Sequence, residues 1–160
     1  MKNKSPLPTY IAYEVEFYRD KDLIEWAIKY VPESEYFEDN HNLIELAALN
    51  TKDSRQTETA GSLLSKFVYS QWPEFDLKGE KAEVYAKNYF KYRLQQYIDH
   101  SCKPYDLCRM VSPIEQLYDF PVWLGNMYNA CDWIEPETKS EDCPLLLSEV
   151  ERTKNERLRT

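Results

Sequence analysis

Glycine is almost missing from this chain, with 3 among 160 residues. A turn-rich β-protein draws on glycine at its tight turns, so the scarcity argues against one. Gly61 and Gly79 stand alone, which leaves no glycine-rich loop to cradle a phosphate. Histidine is confined to His41 and His100. They lie far apart, no HExxH occurs, and no metal centre or cofactor is expected. Cysteine occurs four times, as Cys102, Cys108, Cys131 and Cys143, without a CxxC pair or a zinc pattern. No apolar run approaches the roughly 18 residues of a membrane span. The start, MKNKSPLPTY, has no apolar core of a secretory signal. These absences point to a cytoplasmic protein with no membrane partner. There the cysteines stay reduced, as small buried hydrophobes.

Positive charge is also short. Lys and Arg total 20 against 28 Asp and Glu, a net charge of −8. Binding to phosphates needs a basic footprint, so direct contact with nucleic acid is not expected. An acidic surface suits a basic protein partner, because complementary fields speed association.

The residues present favour helices: Glu, Lys, Leu, Ala and Tyr are common. The densest stretch is Ser112 to Pro136, SPIEQLYDFPVWLGNMYNACDWIEP, which holds Trp123 and Trp133 among many apolar residues. Aromatic side chains bury the most area, so this run reads as a central packing element. Ser112 is the expected N-cap, with Pro113 at the first helical position and Glu115 closing a capping box. Pro121 then opens a second helix, with Trp123, Leu124, Met127, Tyr128 and Cys131 on one stripe. Gly125 inside it marks a close contact with another helix.

Elsewhere the spacing predicts a helix over 23–31 that ends at Pro32, and a helical pair of turns over 43–49 that continues from the acidic residues before it. A third helix starts at Ser54 and closes at Trp72-Pro73. The longest runs from Glu80 to about His100, with Ala82, Tyr85, Ala86, Tyr89, Phe90, Leu94, Tyr97 and Ile98 on a broad stripe. Pro104 opens a short helix, and Pro144 a last one that ends near Arg157. Residues 10–18 alternate weakly, which fits a short strand or a helix running into the next element; helix is the preferred reading. The whole is expected to be mainly α, a single compact multi-helix domain over 1–160, frayed at 1–9 and from about 155.

Two acidic patches stand out. Glu33, Glu35, Glu38 and Asp39 surround Tyr36 and Phe37, and Asp132, Glu135, Glu137, Glu141 and Asp142 share one base, Lys139. Aromatics among acids have the make-up of an interface core with a charged rim. General acid–base work would need such carboxylates in a partly desolvated cleft, and these lie in polar loops. The one nucleophile constellation to weigh is Asp99, His100 and a cysteine. His100 and Cys102 are two apart, which does not face them together on a helix.

The string LYDFPVWLGNMYNACDWIEP, with SPIEQ before it, resembles the C-terminal signature of small helical bacterial proteins encoded beside polymorphic toxins. Systems of contact-dependent growth inhibition are among them. The likeness covers about residues 105–145. It implies an immunity protein, not an enzyme, that binds a cognate toxin domain and occludes it. The toxin would be a nuclease, and basic because its substrate is anionic. The partner-binding residues expected from charge and aromatics are Glu33, Glu35, Tyr36, Phe37, Glu38, Asp39, Asp132, Glu135, Glu137 and Glu141. A helical adaptor with a non-toxin partner is one alternative, and a Cys/His-dependent enzyme another. Oligomeric state is left open.

Overall fold

Helix follows helix along the chain in a computed structural model, which describes residues 5–34 and 40–158. The fold is mainly α, and no strand occurs among the described residues. The chain divides into two compact units, one of residues up to Glu14 and Tyr18–Asp76, the other of Val15–Phe17 and Leu77 onward.

The first unit holds α1 (Pro6–Glu14), α2 (Asp20–Tyr30), α3 (His41–Ala47), α4 (Ser54–Thr57) and α5 (Ala60–Gln71). Helix begins at Pro6, and Thr9 and Tyr10 are already buried. Two prolines fit there because the first turn has no intrahelical use for their missing N–H. Helix α2 starts where the Asp22 carboxylate accepts the Arg19 N–H at 2.7 Å. Pro32 stops it within a 3-10 turn, Val31–Glu33. The expectation that α3 continues from the acidic residues is corrected. Asn40 begins it, with its side chain accepting from Asn42 N and Leu43 N. Ser54 does not cap one long helix either. Asp53 caps the short α4, and α5 begins afresh at Ala60.

The core of this unit is Leu23, Ile24, Leu43, Leu46, Leu64 and Phe67, all fully buried. Helices α2, α3 and α5 pack on one another around it, and α1 lies on α5. That last contact needs Gly61. A Cβ there would stand 2.5 Å from the Tyr13 ring.

The second unit is built on α6 (Glu80–Ile98), about 28 Å long at 1.5 Å per residue. Its buried stripe is Ala82, Ala86, Tyr89, Phe90, Leu94 and Tyr97, as the helical period requires, while Tyr85 faces out. Phe17 packs against Tyr89 with tilted rings, centroids 5.0 Å apart. The Arg93 guanidinium lies 4.5 Å over the Phe17 ring and donates to the Phe17 carbonyl at 2.8 Å. Helix α7 (Pro104–Cys108) opens on its proline, with Asp106 accepting from Lys103 N.

Helix α8 (Val111–Tyr118) corrects the expected start: Met110 is its N-cap, so Ser112 lies inside, and Pro113 still falls in the first turn. It ends on two consecutive left-handed residues, Asp119 and Phe120, each at φ 52°. The single helix expected after Pro121 is also corrected. A 3-10 turn, Val122–Leu124, is cut off from α9 (Met127–Cys131) by Gly125 at φ 63°. The close contact expected at Gly125 is present: a Cβ there would lie 3.0 Å from Thr153 Oγ1. Last comes α10 (Pro144–Arg152), which packs on α9 and α6 and widens into a π turn over Thr153–Arg157.

The Ser112–Pro136 run is only half core. Ile114, Trp123, Leu124 and Met127 are buried, but Phe120, Val122, Tyr128 and Trp133 are exposed. Trp123 is fixed on α6 by its ring against Phe90 and by its Nε1, which donates to Glu83 Oε2 at 2.8 Å.

Candidate interaction face

The acidic stretch after α9 is held at both ends and nearly bare between. Met127 is fully buried at the start of α9. Just before it, Asn126 N donates to Glu149 Oε1 at 2.9 Å, a carboxylate that α10 keeps buried. At the far end Cys143 is buried, and its thiol donates to the Lys139 and Ser140 carbonyls. No residue between Met127 and Cys143 is buried. Among them are five carboxylates and one lysine.

Asp132, Glu135, Glu137 and Glu141 are all exposed. None forms an ion pair among the described residues, where Arg152 with Glu149 is the salt bridge seen. The Glu135 N–H donates to Thr138 Oγ1 at 2.9 Å, and Thr138 N–H returns to the Glu135 carbonyl. That turn fixes the backbone carrying Glu135 and Glu137. Tyr128 is 57 % exposed and Trp133 53 % exposed. Large aromatics left in water beside a charged rim are the residue types that anchor protein interfaces.

The charge reading missed these two rings because the whole run read as core. The signal was present in the sequence: Trp133 stands between Asp132 and Glu135, the same aromatic-among-acids pattern that singled out Tyr36 and Phe37. Of the first patch, Glu33 is exposed at the end of the 3-10 turn. Glu35, Tyr36, Phe37, Glu38 and Asp39 lie outside the described residues.

The reading of all four cysteines as reduced and buried is corrected. Cys108 and Cys131 form a disulfide with Cα atoms 5.4 Å apart, joining α7 to α9, and both residues are half-buried. Cys143 fits the expectation as a buried free thiol. Cys102 is free and half-buried, and burial pushes its thiol up to about 11. A thiol held protonated at neutral pH is a weak nucleophile. Asp99 is engaged by Gln95 Nε2 at 3.0 Å, and no hydrogen bond joins His100 to Asp99 or to a cysteine.

Beside Glu141 opens a cleft of about 550 Å³, lined by Tyr97, His100, Lys139, Glu141, Pro144 and Leu147. Burial, then the neighbouring Cys143 thiol, pushes the Tyr97 phenol up to about 12. Tyr97 is buried there, while Lys139 and Glu141 are exposed. No group of three His, Cys, Asp or Glu side chains suited to a metal ion occurs among the described residues, and no helix there is long and apolar enough to cross a membrane. Exposed aromatic rings beside exposed carboxylates have the residue make-up of a protein-binding face. No protein-family model, curated protein or solved structure matches this chain.

Proposed function

We propose that this chain is an immunity protein that captures a basic toxin domain on its acidic segment and neutralises it by stoichiometric occlusion. The observation that carries this reading is the segment 128–142. It holds five carboxylates, one lysine and two exposed aromatic rings between two buried anchors. Unpaired surface carboxylates steer a basic partner into encounter, and aromatic anchors then slow its release. A nuclease fits as the toxin, because a protein that grips an anionic substrate is basic where it works. The resemblance of the 105–145 stretch to immunity proteins of contact-dependent growth inhibition points the same way.

The compartment in this reading is the cytoplasm, where an incoming toxin would act. The Cys108–Cys131 bond weighs against a permanently reducing site. Titrating thiols in protein taken directly from cells decides between them.

The functional test is calorimetry of the full chain against the C-terminal domain encoded by the gene immediately upstream, at about 0.05 M and about 0.5 M salt. Tight one-to-one binding that weakens with salt is expected. Changing Asp132, Glu135, Glu137 and Glu141 together to Lys should cut the association rate at least tenfold and flatten its salt dependence. Absence of binding overturns the immunity reading for that pair and favours the adaptor alternative.

A further inference from the structure

Residues 128–142 hold no buried side chain between their two ends: α9 rests on α8 and α10, and the one covalent fastening is at Cys131. Met127 and Cys143 are the nearest buried residues on either side, and Cys131 is tied to Cys108 between them. Helix α9 has five residues and no side-chain cap at Asn126. A helix so short does not persist by itself. The start of α9 is secured by Met127 and by the Asn126–Glu149 hydrogen bond, and its end by the disulfide. Beyond Cys131 the chain runs through Asp132, Trp133, Glu135 and Glu137, shaped by two local turns, Ile134 N–H to the Cys131 carbonyl and Glu135 with Thr138. The other side of the clasp is firm. Cys108 ends α7, and its neighbours Leu107 and Met110 are fully buried.

We infer that the Cys108–Cys131 disulfide is a redox clasp on the acidic segment: closed, it holds Tyr128, Asp132 and Trp133 in the arrangement a partner docks on, and opened, it releases them. The opening step is thiol–disulfide exchange with a dithiol reductant. The Sγ–Sγ bond breaks, Cys108 and Cys131 each gain a proton and one of the two electrons supplied, and the reductant becomes a disulfide. Both cysteines are half-buried, so a small reductant has a route to them. A segment ordered in advance binds more tightly because less freedom is lost on docking. The docking part of this inference rests on the reading proposed above. The ordering part does not.

Amide hydrogen exchange of the full chain, oxidised and in dithiothreitol, tests the ordering. Exchange in peptides covering 128–142 should quicken at least tenfold on reduction, while peptides of α6 and α8 hold their protection. Cys131→Ser and Cys108→Ser should reproduce the reduced pattern without reductant, and Cys102→Ser should not. Unchanged exchange overturns the clasp. Equal acceleration across the whole second unit also overturns it, because the bond is then a general staple. Docking is read separately, by anisotropy of fluorescein-labelled deca-arginine, with the fourfold Lys variant of the acidic residues as the blank. Affinity at least fivefold weaker after reduction is expected. A released segment that binds equally well removes the regulatory part. A released segment with no binding above the blank in either state leaves the clasp standing and sinks the docking reading.

Discussion

Replacing Gly125 by alanine should be among the most damaging single-methyl additions in this protein. The residue sits at φ 63°, ψ −141°, close to a region that glycine alone occupies readily. Forcing a side chain into such backbone costs about 1–3 kcal/mol. The new Cβ would also meet Arg157 Nη1 at 2.6 Å and Thr153 Oγ1 at 3.0 Å. The Arg157 tip can swing aside. Thr153 is fully buried and its hydroxyl donates to Glu149 Oε1, the carboxylate that also holds Asn126 N, so its retreat would disturb both bonds. Overpacking of this kind adds about 1 kcal/mol or more. The sum is about 3 kcal/mol, or about 6–12 °C in Tm for a chain of this size. Thermal melts of wild type and Gly125→Ala, followed by circular dichroism, measure it. Gly79→Ala is the comparison. Gly79 caps α6 at φ −78°, where alanine fits and only the cap suffers, about 1 kcal/mol. If Gly125→Ala melts no lower than Gly79→Ala, the argument from positive φ and the Thr153 contact is wrong.

Three other outcomes can be checked alongside. Burial raises the Glu115 carboxyl above its ordinary value, so the folded chain holds that proton to higher pH than the unfolded chain does. Its contribution to stability is largest below the unfolded value, about 4.3, and falls as pH rises past it. Glu115→Gln should therefore match wild type near pH 3 and exceed it near pH 7 in urea melts, and an opposite trend refutes the assignment. Trp123→Phe removes the 2.8 Å bond to Glu83 and should cost about 1.5 kcal/mol, while Glu83→Gln, which keeps an acceptor, should cost less. The unfolded, unreduced chain should titrate two thiols, Cys102 and Cys143, and four after reduction. In the folded chain Cys102 should alkylate slowly at neutral pH and faster up to about pH 11, and four thiols without reductant would refute the disulfide.

Helix α6 was legible in the sequence because its period is long enough to average out single residues: six buried positions repeat over 19 residues. Prolines marked the ends of α2, α5 and the starts of α7 and α10, since a missing N–H acts locally. The dense run was misread where local and tertiary effects compete. Nothing in its spacing says that Gly125 turns left-handed, because the contact with Thr153 comes from a helix some thirty residues on. Ser112 looked like a cap, yet buried Met110 and Val111 draw the helix start two residues earlier. The acidic patch was legible by charge alone. Its aromatic members were legible only in part: Trp133 stands among acids in the sequence, but packing alone shows that it stays in water while Trp123 is buried. The disulfide was out of reach as well. A single bond among four cysteines has six possible pairs, and only the packing of α7 on α9 selects Cys108 with Cys131.

The excursion of Val15–Phe17 has a bearing on heredity and engineering. Residues 77 onward do not specify their own unit in full, because Phe17 supplies the ring beneath Arg93 and the carbonyl it donates to, across 76 positions of chain. A gene cut at Asp76 would part a side chain from its socket. Shuffling between relatives, by nature or by design, can therefore not treat that point as a seam: a grafted second half would inherit Tyr89 and Arg93 without the residue they close upon, and the first half would carry a Phe17 with nowhere to go. The two halves should be inherited together or not at all.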